Sequence, residues 1–571
     1  MYQSTSRRGC CVLGSRITLQ VSIKVGLGYP GPHLTSCVTF LNLFPDTKMD
    51  RPSTSTRYGD PDYEEQLLKW YDEIEDDDNE IDNVEESEHD SCSELEISDD
   101  EYEERELYQS EQAVSDPEYQ DNDSEQVLEK SKELIDEKES TPEEKSENDQ
   151  SRTKAEGPKS YFGKNKYKWS ASEPRRFVRT ACENIISHLP GLRGAAKNLG
   201  YSADALSVFS LLFTDEMVNK IVRYTNQRLE IQREQYSDTN KQEIRDTDAI
   251  EIKALLGLLY YTSIFKSNHE DLDACFATDG TGREIFRCIM SLKRCLTLLC
   301  HLRFDDANDR IMRVLGDRSA AISNLFESLV RNSQSCYSPG EYLCIDEMLV
   351  GFRGKCLFRV YLPNKPKKYG LKVMILTDAR TSYFCNAYIY TGKGSDSKTL
   401  SEADQKLAIP TQAVLRLSKP YNQTNRNITA DNWFSSIEVV CKLRERGMTY
   451  VGTLRKNKRE IPREFLPNRQ RKEGSSLYGF STNNTAKITL LSHVPKKSKA
   501  VLVVSSMHHK IANIDDKPEM IEFYNSTKGG VDSLDQKCAS YSTSRRTRRW
   551  PMCLFYTILD IASVNYFVLY K

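Results

Sequence analysis

Asp346 and Glu347 lie inside an otherwise apolar run, Cys344-Ile-Asp-Glu-Met-Leu-Val350, and a glycine-containing basic segment with Arg353, Lys355 and Arg359 follows directly. A carboxylate seated in a buried strand must find a cation or hydrogen-bond donors, because isolated buried charge is too costly to keep. The cations that follow suggest an anionic polymer nearby. Two more carboxylate motifs lie downstream, Asp431-Asn-Trp-Phe434 and Gly529-Gly-Val-Asp532-Ser-Leu-Asp535. Brought together, Asp346, Asp431 and Asp532, with Asp535 a further acid, could form a metal-binding acidic cluster. Carboxylates within about 4 Å of each other cost on the order of 4 kcal/mol per pair at an effective dielectric of ~20, a cost that divalent cations reverse. Hard oxygen donors favour Mg²⁺ or Mn²⁺. Two such ions roughly 4 Å apart would activate a water or a 3′-hydroxyl and stabilise the leaving oxygen of an in-line phosphoryl transfer. With 84 acidic residues in the chain, spacing alone does not single out a triad. The context of each carboxylate has to do that.

That context is a set of strands and one helix. The run from Tyr342 to Val350 reads as a buried strand, and Leu371 to Leu376 and Tyr383 to Tyr390 as two more, separated by the turn signals Pro363-Asn364 and Gly392-Lys-Gly394. Three successive strands suggest a meander opening a mixed sheet. Arg426 to Ala430 reads as a strand with Asp431 at its end, where open α/β sheets commonly form their sites. Ser435 to Arg446 follows as an amphipathic helix closed by Gly447, and Tyr450 to Leu454 as another strand, making a β-α-β unit. If Gly530 opens a helix, Asp532 and Asp535 share one face. Trp433 and Phe434 could stack on a flipped base, although packing under the sheet suits them better. Upstream, apolar residues at helical spacing run from Val208 to Val222, with Thr214 and Glu216 offering a helix start, then through Ile250 to Phe265 and Glu284 to Leu302.

The net charge of -5 conceals a strong asymmetry. Residues 60–150 carry 39 acidic against 6 basic side chains, whereas 151–571 carry 66 basic against 43 acidic. An acidic arm on a basic body is the pattern of a nucleic-acid binder with an anionic tail. Residues 49–173 are expected to be a disordered acidic arm, since their few large apolar groups cannot offset the ordering entropy. The extension 1–48 resembles neither a clean signal peptide nor a domain. Sixteen cysteines without a C-x-x-C pair read as reduced thiols, no zinc site is evident, and His508-His509 read as surface residues. Eight histidines, none beside a nucleophile, leave catalysis to carboxylates. The apolar stretch Pro551 to Tyr570 is punctuated by Asp560, Ser563 and Asn565, which favours a buried amphipathic helix over a membrane span.

Five segments raise the carboxylate hypothesis above chance: Ile345 to Cys356, Tyr361 to Lys372, Asn427 to Phe434, Val451 to Pro462 and Tyr524 to Gln536. In wording, order and rough spacing they resemble the piggyBac transposase family of DDE-type, RNase H-like transposases, from about Asp204 to Lys571. The resemblance implies an α+β or α/β fold: an RNase H-like mixed-sheet catalytic core (341–456) with an inserted subdomain (457–520) and a last catalytic segment (521–540). A helical dimerisation and DNA-binding domain (174–340) and a second helical DNA-binding segment (541–571) would flank it. It further implies Asp346, Asp431 and Asp532 as catalytic metal ligands for Mg²⁺ or Mn²⁺, with Asp535 a further acid of the site. The implied partners are double-stranded DNA at transposon ends and TTAA targets and a second copy of the chain, in the nucleus, with no membrane.

By the same match Arg353, Lys355, Arg455 and Lys458 would lie near DNA, where phosphate contacts fix register and make binding salt-dependent. Arg359 and Lys372 fall in the same motifs. Lys365-Pro-Lys-Lys368 reads as a DNA-facing loop or an import signal. Arg545, Arg546, Arg548 and Arg549 read as an exposed patch with either role. The family pattern normally continues past Arg548-Arg-Trp-Pro-Met552 and often ends in a Cys/His-rich zinc module, whereas this chain stops at Lys571. The sequence is therefore expected to be truncated at its C-terminus, with a final helix short of packing partners. Three activities fit: an active metal-dependent transposase, a DNA-binding or chromatin-associated derivative that no longer cuts, and an RNase H-like nuclease of repair or RNA processing.

Overall fold

The computed structural model describes residues 160–571, apart from 175–179, 201–202, 235–241, 364, 483–486 and 515. The extension 1–48 and residues 49–159 of the expected acidic arm lie outside the described residues.

Residues 160–170, read from sequence as the end of that arm, are instead an ordered hairpin. Strands β1 (Ser160–Phe162) and β2 (Lys168–Ser170) pair antiparallel. Trp169 is fully buried and donates its indole N–H to the Glu460 carbonyl at 2.8 Å. One large aromatic with a satisfied polar handle outweighs the polar composition around it.

The helical region begins after a two-residue strand β3 (Gly191–Leu192) with α1 (Gly194–Leu199), α2 (Ala205–Leu212) and α3 (Asp215–Glu234). It continues through α4 (Ala249–Ile264), α5 (Leu272–Phe276), α6 (Glu284–Ile289), α7 (Leu292–His301), α8 (Ala307–Gly316) and α9 (Ala320–Cys336). Several of these helices start at a side-chain cap. The Asp204 carboxylate accepts from Leu206 N and Ser207 N, Asp248 from Glu251 N, and the Ser291 hydroxyl from Arg294 N. Two expected helices are cut in half: Val208 to Val222 breaks at Phe213-Thr214, where Thr214 Oγ1 accepts from Met217 N, and Glu284 to Leu302 breaks at Met290-Ser291, where Ser291 is the cap.

Strand β4 (Tyr337–Ser338) closes on β3. The main sheet then assembles from β5 (Tyr342–Gly351), β6 (Arg359–Tyr361), β7 (Tyr369–Asp378) and β8 (Phe384–Ile389): β5, β7 and β8 pair antiparallel in succession as the expected meander, and the short β6 pairs with β7 as well. Helix α10 (Ile409–Ser418) leads to β9 (Asn427–Ala430), α11 (Ile437–Glu445) and β10 (Thr449–Thr453). Strand β9 runs parallel to both β5 and β10. Strands β11 (Ser476–Ser481), β12 (Thr489–His493) and β13 (Val501–Ser505) extend the same sheet. Among the described residues the eleven strands run β1-β2-β11-β12-β13-β10-β9-β5-β7-β6, with β8 also on β7. The segment set apart from sequence as an insertion thus shares the sheet of the presumed core.

Three helices complete the chain: α12 (Glu519–Thr527), α13 (Gly530–Ser540) and α14 (Trp550–Tyr570). Helix α14 corrects two expectations. It is long and apolar enough to cross a membrane by composition, yet it is buried on nearly all sides, as a core helix is. Its polar residues do not mark a wet face. The Asn565 side chain accepts from Phe384 N at 2.7 Å and donates to Phe384 O and Ser333 Oγ at 3.0 Å each. The Asp560 carboxylate accepts from Thr543 N, Thr543 Oγ1 and Ser542 Oγ. The helix packs against α9, α2, α13, β5 and β8, so it does not lack partners.

Candidate active site

Asp346 and Asp431 meet because β5 and β9 run parallel with Ile345 opposite Ala430, which leaves the next residue of each strand side by side. The two carboxylates feel one another. Asp346 is held well above the usual carboxylate range, first by burial and then by the negative charges of Glu347 and Asp431. Asp431 is pushed up to about 6, again by burial and then by Glu347, against backbone N–H donors and Arg455. Both resist ionisation chiefly because desolvation penalises the charged form, and the negative charge of Glu347 adds to that.

The Asp431 side chain is fixed by its own turn. Its Oδ1 accepts from Trp433 N at 2.9 Å and more weakly from Phe434 N at 3.4 Å, an Asx turn that carries the chain towards α11. Ser435 Oγ donates to Asp431 O at 2.7 Å and bonds the Tyr450 hydroxyl at 2.7 Å. Gly452 makes room for this: a Cβ there would lie 2.5 Å from Ser435 Oγ and 2.8 Å from Ala430 O. Phe434 is fully buried, as expected, and Trp433 lies under the Lys372 ammonium at 5.0 Å from its ring centre.

Helix α13 starts at Gly530 and does place Asp532 and Asp535 on one open side. Its first turn presses on the sheet: a Cβ at Gly530 would meet Thr377 Oγ1 at 2.6 Å and Cys344 Cβ at 2.8 Å. Cys344 Sγ donates to Lys528 O at 2.8 Å on the same approach. The surroundings of Asp535 raise its carboxyl even though the residue is exposed, while Lys367 and Lys365 oppose the rise. Among the described residues no three Asp, Glu, His or Cys side chains form a group ready to hold a metal. The structure therefore brings Asp346, Asp431 and Glu347 into mutual influence and leaves Asp532 and Asp535 on the neighbouring helix. By donor chemistry the pair fits a hard divalent cation: two half-buried carboxylates from adjacent strands, with oxygen as the only donor atom.

The basic residues divide into two kinds. Arg353, Lys355, Lys368, Arg546 and Arg548 are exposed, Lys365, Lys372 and Lys458 are half-buried, and all remain on the site side of the inventory drawn from sequence. Four others have structural work. Arg359 donates to the Arg353 and Gly354 carbonyls at 2.6 and 2.7 Å and folds the loop between β5 and β6. Arg455 Nε reaches Asn432 Oδ1 at 3.3 Å and so braces the Asp431 turn. Arg545 bonds the carbonyls of Ser267 and Glu270, and Arg549 those of Leu299, Cys300 and Leu302. Arg549 thereby caps the C-terminal end of α7, where unpaired carbonyls attract cations. His508 is buried, not a surface residue: its ring bonds Ser505 Oγ at 2.8 Å and packs edge-on to Phe523. Sequence reasoning passed over Lys367, whose charge reaches Asp535 and Asp560, because nothing in its own segment distinguishes it from Lys365 and Lys368.

The family model described as Transposase IS4 matches residues 204–567. Among curated proteins, the human PiggyBac transposable element-derived protein 3 is 23% identical over 366 residues, covering 60% of this chain and 57% of that protein. The human PiggyBac transposable element-derived protein 2 is 23% identical over 396 residues, covering 64% of this chain and 61% of its own length. The chain spans about three fifths of the length of these two relatives. A cryo-EM structure of a piggyBac transposase synaptic complex with hairpin DNA superposes with a TM-score of 0.62 at 36% identity, covering 67% of this chain and 77% of that chain.

Proposed function

Because the chain belongs to the piggyBac transposase family, we propose that its Asp346–Asp431 centre carries out divalent-metal-dependent DNA strand cleavage and transfer at TTAA sites. The observation that carries this is the side-by-side placement of two half-buried carboxylates, Asp346 in the middle of β5 and Asp431 just past the end of β9, where the two strands run parallel. Asp346 and Asp431 would hold Mg²⁺ or Mn²⁺, with Asp532 reaching in from α13. A bound ion of this class supplies neutralisation of phosphoryl charge and a lowered pKa for the attacking hydroxyl. The chain's own residues do the rest. The Asx turn and the Arg455–Asn432 contact hold Asp431 in one orientation. Exposed Arg353, Lys355, Lys368, Arg546 and Arg548 supply phosphate contacts that set the register of a duplex. Work on DNA would require the protein to act in the nucleus, and the solved relative's synaptic complex with hairpin DNA supports DNA as the partner; action as a homodimer through a hairpin intermediate belongs to the same proposal.

A second reading, DNA binding without cleavage, draws on one observation: Asp532 is not grouped with the other two carboxylates. One experiment separates them. End-labelled duplexes flanked by TTAA, incubated with the chain and Mg²⁺ across a salt series, should show binding that falls steeply with salt and nicks at the element ends. Salt-sensitive binding with intact strands would establish the second reading instead, and preference for RNA-containing duplexes would displace both.

A further inference from the structure

Lys365 sits at the tip of the turn between β6 and β7 and points back into the acidic centre. Its Nζ lies 3.7 Å from Glu347 Oε1, and neither side chain is well solvated, with 27% and 19% exposure. The turn that delivers it is tight: Leu362 N donates to Lys368 O at 2.8 Å and Lys365 N to Leu362 O at 3.3 Å. Lys367 braces the same turn from the other side, its Cδ only 2.5 Å from where a Cβ on Gly351 would stand at the end of β5. From that position beside Glu347, the Lys365 charge also favours the ionised forms of Asp346 on β5 and Asp535 on α13. A half-buried pair of this kind is screened less than a surface ion pair. Glu347 meanwhile has a lysine as its charge partner and belongs to no three-residue metal group among the described residues.

We propose that Lys365, held in place by Glu347, is the resident counter-cation of the Asp346–Asp431 centre. Glu347 is then a positioning residue for that lysine, and a divalent cation must compete with Lys365 for the carboxylates. The proposal rests on the metal-binding reading of the centre. It also separates Lys365 from the exposed lysines and arginines that meet DNA, since its first partner is the protein's own acid.

The test is a Mn²⁺ titration of the full chain without DNA, followed by electron paramagnetic resonance, which reads metal affinity and not turnover. Lys365→Gln should bind Mn²⁺ about three- to tenfold more tightly than wild type, and Lys365→Arg, which keeps the charge, should bind as wild type does. Glu347→Gln should weaken binding about threefold or more, because the released lysine turns to Asp346. In the Lys365→Gln background the same change should cost about twofold or less, the non-additivity expected of residues that act through one another. Thermal melting without metal confirms that each variant is folded. Unchanged affinity in Lys365→Gln, or an equal cost of Glu347→Gln in both backgrounds, overturns the proposal while leaving the metal centre standing. No Mn²⁺ binding by wild type and by Lys365→Gln alike overturns both.

Discussion

At the scale of single residues, the account depends on side chains whose neighbours leave them little freedom. Gly452 is the clearest case, because the space it leaves open is filled by Ser435 Oγ, the Tyr450 hydroxyl and Ala430 O around the Asp431 turn. Gly452→Ala is expected to lower stability by about 1–3 kcal/mol, the usual cost of overpacking, and to loosen the Asx turn. Chemical denaturation and Mn²⁺ affinity, measured together, check both effects. His508 gives a pH signature. Burial, then His509 and Lys510, depress its ring from 6.5 to about 4, so the folded state favours the neutral imidazole. Its contribution to stability is full above about pH 6.5 and is lost as the pH falls towards 4, by up to about 3 kcal/mol. Denaturant midpoints at pH 7 and 4.5 should converge in His508→Gln relative to wild type; an unchanged pH slope would contradict this. The carboxylates themselves were legible in sequence, because an acid inside an apolar strand is a physical anomaly wherever it occurs. The structural duties of Arg359, Arg545 and Arg549 were not, since a carbonyl partner far along the chain leaves no local mark.

At the scale of elements, the site depends on how closely α13 approaches the sheet. Gly530 permits contact with Thr377 and Cys344 that no larger residue would allow, and it sets where Asp532 and Asp535 stand. Gly530→Ala should push the helix outward, costing about 1–3 kcal/mol in stability. It should also reduce strand cleavage more than DNA binding, a difference that paired cleavage and binding assays would read. Equal losses in both would argue that α13 is only a support. Strands β5, β7, β8, β9 and β10 and helix α11 could be read from alternation, turn residues and Gly447, because their signals are local. The character of α14 could not. Asp560 and Asn565 look like a polar face in sequence, but Thr543, Ser542, Phe384 and Ser333 satisfy them inside the core. The hairpin at 160–170 was hidden for the opposite reason: its anchoring partner, Glu460, lies almost 300 residues away.

At the scale of the whole molecule, a mixed sheet of eleven strands among the described residues carries the candidate centre where β9 ends beside the middle of β5, with helices α12 to α14 packed against β5. Charge is arranged to match: the surplus of basic side chains belongs to residues 151–571, the part that would meet a polyanion. The central claim is that Asp346 and Asp431 form a metal-dependent phosphoryl-transfer centre acting on DNA. Single-turnover cleavage of TTAA-flanked DNA in Mg²⁺, compared between wild type, Asp346→Asn and Asp431→Asn, tests it most directly. The account predicts cleavage by wild type that requires the divalent ion, and a loss of at least about a hundredfold in each variant with DNA binding retained. Cleavage that persists in either variant, or proceeds in excess chelator, would contradict it.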